Sequence, residues 1–190
     1  MSLSMITAPA NEPVTAADAR AHLRISHSHE DALLERLIVA AREEVEQRTG
    51  RALIDQNWRY TLDKLPQTRI LRIPKAPLSA VTGVYIYGHE GTQHEITAQH
   101  MLQDLHGNPP RLRLTGTLPV SIRTMMGVEV DFKAGYGPDQ SYVPASLQLA
   151  ILHLVGFWYE RRSMVEEGLV TGLIPHGFEA GLSPFKLLKL

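Results

Sequence analysis

Residues 144–160 read PASLQLAILHLVGFWYE, and this stretch decides how the rest of the chain must be arranged. Pro144 suits the first turn of a helix, where its missing N–H needs no partner, so the sequence predicts a helix from there to about Met164. The polar residues inside the quoted stretch, before its last two positions, are Ser146, Gln148 and His153. A helix that is apolar on nearly every side must be covered by its own domain or by a neighbouring subunit.

Two further helices are predicted in the N-terminal part of the chain. A short one spans Ala16–His22, with Thr15 as its N-cap. A longer one spans about Glu30–Thr49, with Ser28 as its N-cap and a glycine at position 50 as its stop. The longer helix carries one apolar stripe at helical spacing, formed by Leu33, Leu34, Leu37, Ile38, Ala41 and Val45.

The middle of the chain, about residues 52–134, loses this helical period and shows short β-type runs separated by Pro, Gly and Asn. The predicted strands are Trp58–Leu62, Arg69–Ile73, Val81–Tyr87, Arg111–Leu114 and Val128–Phe132. The expected fold is therefore α+β: a small helical bundle of three main helices, with an antiparallel β-rich insertion between helices two and three.

The predicted domain organisation has three parts. Residues 1–13, which contain Pro and Asn, are expected to form a flexible N-terminal arm. One domain covers residues 14–165, and a tail covers residues 166–190. The tail ends in an apolar segment that is expected to dock on its own domain or on a partner, since exposed apolar surface is unfavourable in water.

Composition and charge exclude several classes of protein. The formal net charge of −1 argues against coating of DNA by the chain, because phosphate binding needs a basic excess. The absence of cysteine excludes disulfides, thiolate nucleophiles and cysteine-based zinc sites. The most apolar stretch, Leu147–Tyr159, has 13 residues and is too short for a membrane span. Neither a signal peptide nor a cofactor site is predicted.

Histidines are the only candidates for a catalytic or metal site. His27 and His29 lie two apart before the second helix, a spacing that can ligate one metal ion, but no third or fourth ligand is evident. His89 and His94 flank a glycine in a predicted hairpin loop, and His153 lies inside the apolar helix. Helix capping explains His27 and His29 more simply, a solvated loop explains His89 and His94, and a hydrogen-bonded core or interface residue explains His153.

No nucleophile elbow, P-loop, dinucleotide-binding glycine motif or H-E-x-x-H motif occurs, so the chain is not expected to be an enzyme. Two alternatives remain open. One is a small metal-dependent hydrolase that uses His27, His29 and loop carboxylates. The other is a monomeric protein-binding module that uses its β-rich insertion.

Several segments, taken in order, resemble the head-tail connector (adaptor) proteins of long-tailed phages and gene transfer agents. These segments are residues 13–24 (PVTAADARAHLR), 41–53 (ending RTGRAL), Trp58, 73–78 (IPKAPL), 130–137 (VDFKAGYG) and 143–162 (ending WYERR). They span the chain from about residue 13 to 165, and each one alone has little specificity.

The resemblance implies a ring, commonly dodecameric, docked under the portal and continuing the DNA channel towards the stopper or tail-completion protein. Its partners would be other copies of the chain, the portal, the stopper and DNA that passes without sequence-specific binding; no membrane is involved. The protein would be made in the bacterial cytoplasm and then reside in the virion or phage-like particle. The family has no catalytic residues, metal or cofactor to carry over.

Two sets of contact residues follow from the apolar third helix and the apolar tail, together with this resemblance. The expected subunit-interface residues are Leu149, Leu152, Phe157, Arg161 and Arg162. The expected portal-binding residues are Phe185, Leu187, Leu188 and Leu190.

Overall fold

A computed structural model describes residues 1–161 and 177–187 of the protein, and within these ranges it has four α-helices and eight strands in two antiparallel sheets. The predicted α+β class is therefore confirmed. The chain divides into two compact units. A helical unit comprises Ala10–Ile54 and the described part of Gly137–Lys186, and a β unit comprises Met1–Pro9, Asp55–Tyr136 and, of the C-terminal residues described, Leu187.

The helical unit contains four helices in the described ranges: α1 (Ala16–Leu23), α2 (Asp31–Thr49), α3 (Ala145–Glu160) and α4 (Phe178–Leu182). The α2 and α3 helices pack together, α1 contacts both, and α4 contacts both as well. The predicted third helix is present, but Met164 lies outside the described residues. The fourth helix was not predicted, because five residues carry too little periodicity to show one.

Local sequence accounts for most helix ends. The Thr15 hydroxyl accepts a hydrogen bond from the Asp18 N–H at 3.1 Å, and the Asp18 carboxylate accepts one from the Thr15 N–H at 2.8 Å. These two bonds form the predicted capping box at the start of α1. The α2 helix ends at Gly50, which adopts the left-handed φ of 74°. Ser28, by contrast, is not the N-cap of α2, because that position is occupied by Glu30, which makes no side-chain cap hydrogen bond.

The core of the helical unit lies between one face of α2 and one face of α3. The buried residues are Leu34, Ile38, Ala41 and Val45 of α2 and Leu147, Ile151, Leu154 and Val155 of α3. Leu33 and Leu37, expected in the same stripe, are only half-buried. Burial of each large aliphatic side chain stabilises the fold by about 1.5–3 kcal/mol before conformational entropy is counted, so this face holds the unit together.

The β unit contains one sheet of five strands and one of three. Their orders are β1-β2-β8-β4-β5 and β3-β7-β6. The strands are β1 (Ser2–Thr7), β2 (Gln56–Leu62), β3 (Ile70–Arg72), β4 (Leu78–Tyr87), β5 (Gln93–Glu95), β6 (Met101–Asp104), β7 (Arg111–Leu114) and β8 (Val128–Ala134). The five predicted strands are all present, and β1, β5 and β6 were not predicted.

The centre of the larger sheet is β8, which pairs with β2 on one side and β4 on the other. Val130 lies opposite Tyr60 of β2 and Val84 of β4, and Phe132 lies opposite Trp58. Because side chains alternate between the two faces of a strand, Val128, Val130 and Phe132 share one buried face.

The N-terminus differs from its expected form. Residues 2–7 form β1, whereas the sequence predicted a flexible arm over residues 1–13. This strand pairs antiparallel with β2, with Leu3 opposite Tyr60 and Met5 opposite Trp58. The pairing uses backbone hydrogen bonds across about 55 residues of intervening chain, and local patterns do not reveal such a partner.

In the described ranges, no helix is both long and apolar enough to cross a membrane.

Candidate assembly interface

The third helix has one buried side and one side that no other part of its unit covers fully. Leu149 is 47% exposed, while Leu152 and Phe157 are half-buried. At about 100° per residue these three positions fall within about 140° on the side of α3 away from its buried aliphatic residues, and this set is here called the α3 stripe. Its C-terminal end is Arg161, whose guanidinium carbon lies 4.1 Å from the centre of the Phe157 ring. The predicted subunit-interface residue Arg162 lies outside the described residues.

The α3 stripe is suited to protein contact. Isolated exposed apolar residues are common, but an aliphatic and aromatic row that ends in an arginine has the composition of the centre of an interface. The cation–π contact holds the arginine above the ring, so the two side chains are already arranged before a partner binds. The structure thus brings together four of the five predicted residues on one helix.

The C-terminal segment is attached to its own unit up to Lys186. Phe178 and Leu182 of α4 are buried, and Arg51 Nε donates a hydrogen bond to the Phe185 carbonyl at 2.6 Å. Glu179 forms ion pairs with Arg48 and with Lys186. Phe185 and Leu187 are half-buried, and Leu188 and Leu190 lie outside the described residues.

The histidines do not form a metal site in the described part of the chain. His27 and His29 are exposed, with ring centres 5.6 Å apart, and no group of three or more His, Asp or Glu among residues 1–161 and 177–187 could hold an ion. His153 is exposed on α3, and its ring centre lies 5.6 Å from that of His22. It is therefore not a core residue, and the other expectation for it, an interface residue, stays a prediction.

The two histidines of the hairpin lie in different segments of it. His89 lies in the turn after β4, and His94 lies in β5 opposite Ile86. Gly91 between them adopts φ 81° in the turn, as the sequence predicted for a hairpin loop. Nothing in this arrangement favours acid–base chemistry.

A charged network on the larger sheet was missed by the sequence analysis. Arg59 binds both carboxylate oxygens of Asp131, each at 2.7 Å, and lies 3.5 Å from Glu129. The Tyr87 hydroxyl donates to Glu129 at 2.7 Å. Burial, and then this hydrogen bond to a carboxylate, raise the pKa of Tyr87 to about 12. Every carboxylate of the network has a partner, so the network stabilises the sheet and offers no free acid or base.

The sequence signal for that network was the alternation of Glu129 and Asp131 with Val128, Val130 and Phe132 in β8. It indicated a half-buried strand, but the partners lie on β2 and β4, whose register only the folded sheet defines.

Comparisons with known proteins agree with an assembly role. The sequence profile of the family described as "HCP: Head completion protein" matches residues 13–172. Among curated proteins, none matches the chain at a significant level.

Three similar solved structures come from gene transfer agent (GTA) particles. The chain is 28% identical to one in the virion of a native GTA particle, with a TM-score of 0.81. It is 27% identical to one in the neck of an empty GTA particle computed with C6 symmetry, with a TM-score of 0.80. It is 26% identical to one in the neck of a native GTA particle computed with C12 symmetry, with a TM-score of 0.73. Each match covers 100% of this chain and 97% of the other.

These matches do not support the metal-dependent hydrolase alternative, because the family and the similar particle necks are structural. The chain belongs to the head completion protein family, which confirms the predicted class: a structural subunit of the head-tail connection and not an enzyme.

Proposed function

We propose that the chain forms a ring below the portal of its particle and continues the DNA channel towards the stopper or tail-completion protein. The observation that carries this proposal is the family match over residues 13–172, together with similar chains in GTA necks computed with C6 and C12 symmetry. A twelve-membered ring is compatible with both symmetries. Subunits would be made in the bacterial cytoplasm and then incorporated at the head-tail interface.

The net charge of −1 supports a passive channel. A strongly basic wall would hold DNA through its phosphates, whereas a nearly neutral one lets DNA pass without sequence-specific binding. This wall would serve genome passage in either direction.

In the proposed ring, α1, α2 and α3 act as the predicted small bundle, and the α3 stripe contacts the next subunit. The support is the exposure of Leu149, the partial exposure of Leu152 and Phe157, and the position of Arg161 at the end of the row. Burying such a row between subunits would remove apolar surface that a lone chain leaves in water.

The test of this contact replaces Leu149 and Leu152 with glutamate. We expect the Leu149→Glu/Leu152→Glu variant to keep its thermal unfolding temperature and to lose rings in native mass spectrometry and negative-stain images. Met125→Glu is a matched control, because Met125 is 72% exposed in the β unit. Intact rings in the double variant, or equal loss of rings in the control, would contradict the assignment of the α3 stripe.

The portal contact is proposed for the C-terminal tail within residues 166–190, at its last four residues. Phe185 is held by Arg51 on its own unit, so residues 187–190 are the better candidates for a partner. We expect a chain without residues 187–190 to form rings but to bind the portal at least tenfold more weakly. The Arg51→Ala variant, which removes the hydrogen bond to the Phe185 carbonyl, is the control for loss of the tail's attachment. Undiminished portal binding by the shortened chain would refute this contact.

A further inference from the structure

The three-stranded sheet presents an arginine-rich face, defined by its register. Ile70, Arg113 and Leu102 lie opposite one another in one row, and Arg72, Arg111 and Asp104 form the next. Because successive side chains on a strand point to opposite faces, these six residues share one face. The other face is buried through Leu71, Leu112 and Leu114. The six residues are called the arginine face below.

The arginine face has a formal charge of three arginines against one aspartate, with an aliphatic side chain on each outer strand. Arg111 binds Asp104 through Nε at 2.9 Å and Nη2 at 2.6 Å, so this pair is neutral. Arg113, which is exposed, lies between Ile70 and Leu102, and Leu102 is 60% exposed. Arg72, also exposed, lies at the β3 end of the neighbouring row. An arginine beside exposed aliphatic side chains is typical of protein interfaces, in which arginine is enriched.

Charge is divided unevenly between the two units of the chain. Residues 55–136 contain nine Lys and Arg against seven Asp and Glu. Residues 10–54 and 137–186 together contain nine Lys and Arg against thirteen Asp and Glu. The β unit is therefore basic and the helical unit acidic, although the whole chain is nearly neutral.

An exposed acidic ridge on α2 matches the arginine face. Glu35, Val39 and Glu43 lie four residues apart, so they form one straight row on the helix. All three are exposed, Val39 at 36%. Glu43 lies 3.5 Å from buried Arg42, and no described side chain forms an ion pair with Glu35. Two carboxylates flank an aliphatic side chain on this ridge, whereas on the arginine face two aliphatic side chains flank Arg113.

We propose that the arginine face of one subunit docks on the Glu35–Val39–Glu43 ridge of the next subunit in the ring. The inference rests on the proposed ring. Neighbours in a cyclic ring contact each other through two different surfaces of the same chain, so one basic and one acidic surface provide the complementary pair. Complementary charge also favours the correct register and disfavours pairing of like surfaces. A second copy fits this face better than DNA does, because Ile70 and Leu102 give it an apolar part.

The first experiment reverses the charges in two separate chains. One chain carries Arg72→Glu and Arg113→Glu, and the other carries Glu35→Lys and Glu43→Lys. For each chain alone, we expect the fraction of protein present as rings in native mass spectrometry to fall at least tenfold. An equimolar mixture should regain them, because each altered surface then meets its complement on the other chain. A chain with all four changes should also form rings.

Controls keep this test interpretable. The Lys64→Glu and Glu90→Lys variants change exposed charges in the β unit outside the arginine face and should leave rings intact. Circular dichroism and thermal unfolding check that each variant folds, and Glu35→Lys alone avoids disturbing Arg42 beside Glu43. Rings in both single-surface variants, or no recovery in the mixture, would overturn the docking proposal.

The absence of native cysteine provides a second measurement that does not depend on charge. Arg113→Cys chains and Glu43→Cys chains are mixed under mild oxidation. We expect a covalent dimer in the mixture that is at least tenfold more abundant than in either variant alone. A mixture of Arg113→Cys with Glu95→Cys serves as the control. Equal cross-linking in all samples would overturn the proposal.

The outcomes separate this inference from the proposed function. Suppose that the unaltered chain forms rings, that charge reversal leaves their amount unchanged and that the cysteine pair gives no extra covalent dimer. In that case the docking proposal is wrong and the proposed ring is unaffected. If neither the purified chain nor its particle contains rings, both fail. If Arg72→Glu/Arg113→Glu chains form rings but lose retention of duplex DNA fragments, the face contacts DNA and the docking proposal is wrong.

Discussion

At the scale of single residues, polar side chains in both units of the described chain form buried or partly buried clusters that the sequence did not reveal. In the β unit, Tyr87, Glu129, Arg59 and Asp131 bond across three strands. In the helical unit, Arg42 is 4% exposed and binds Glu46 at 3.1 Å and Glu12 at 2.8 Å. Such groups are costly to leave without partners, so each cluster fixes how its strands or helices meet.

Tyrosine titration tests the first cluster. Because burial and the bond to Glu129 raise the pKa of Tyr87 to about 12, its stabilising effect is complete below the ordinary tyrosine pKa of about 10. It is lost as pH rises through about 12. Glu129→Gln should lower the pKa of Tyr87 but leave it above 10, since burial remains.

The measurement for Tyr87 is tyrosinate absorbance against pH. Burial also raises the pKa of Tyr60, so the difference between the unaltered chain and Tyr87→Phe isolates the Tyr87 transition. A difference curve centred near pH 10 would show that the proposed environment of Tyr87 is wrong.

Buried Arg42 gives a stability prediction. Arg42→Ala should lower the free energy of unfolding by about 3–5 kcal/mol, because it leaves the buried carboxylate of Glu46 without its cation. Arg36→Ala on the exposed side of α2 should change it by less than about 0.5 kcal/mol. Urea unfolding of both variants provides the measurement, and equal effects would mean that Arg42 makes no special contribution.

At the scale of helices and strands, the two predicted N-caps had different outcomes, for a physical reason. Thr15 lies next to a helix whose third residue, Asp18, completes the reciprocal box. Ser28 lies two residues before Glu30, the true N-cap position, so its hydroxyl does not cap α2. Capping depends on the exact residue at which the helix begins, and local patterns locate that residue only approximately.

The caps can be compared directly. Thr15→Ala should reduce the free energy of unfolding by about 1 kcal/mol, within a range of about 0.5–2 kcal/mol for such caps. Ser28→Ala should have an effect of less than about 0.5 kcal/mol. Chemical denaturation of both variants under the same conditions measures the two changes in the free energy of unfolding. A larger decrease for Ser28→Ala than for Thr15→Ala would contradict Glu30 as the N-cap of α2.

The edge strand β1 gives a prediction about dynamics. Hydrogen bonds to β2 should slow amide hydrogen exchange in Ser2–Thr7 relative to the exposed loop around Met125. Exchange measured by mass spectrometry on peptides from both regions tests this. Equally fast exchange in the two peptides would favour the flexible arm that the sequence suggested.

At the scale of the whole molecule, the proposed subunit acts through its surfaces. The arginine face and the Glu35–Val39–Glu43 ridge belong to different units of the chain. A cyclic assembly needs at least two such surfaces on every subunit, since each copy contacts two neighbours.

Removal of the chain from its particle tests the function as a whole. Without it, we expect heads and tails to accumulate unjoined in electron micrographs. Complementation with the Ser28→Ala variant should restore joined particles. Complementation with Leu149→Glu/Leu152→Glu should not. Normally joined particles in the absence of the chain would refute its role in the head-tail connection.

The sequence by itself determined the α+β class, helices α1 to α3, strands β2, β3, β4, β7 and β8, and the family. These features follow from local patterns: apolar residues three and four apart on helices, alternation on strands, and turn residues between them. It also located the apolar residues of the α3 stripe, because a helix with too many apolar positions leaves some of them uncovered.

Only the tertiary structure decided which strands are neighbours and in what register. For that reason the strand β1, the Arg59–Asp131–Glu129–Tyr87 network and the arginine face could not be predicted. Each depends on residues far apart in sequence that backbone hydrogen bonds bring opposite one another, and a shift of one residue in register would turn every side chain to the other face. Local sequence determines which segments become strands, but cross-strand pairing determines which charges meet.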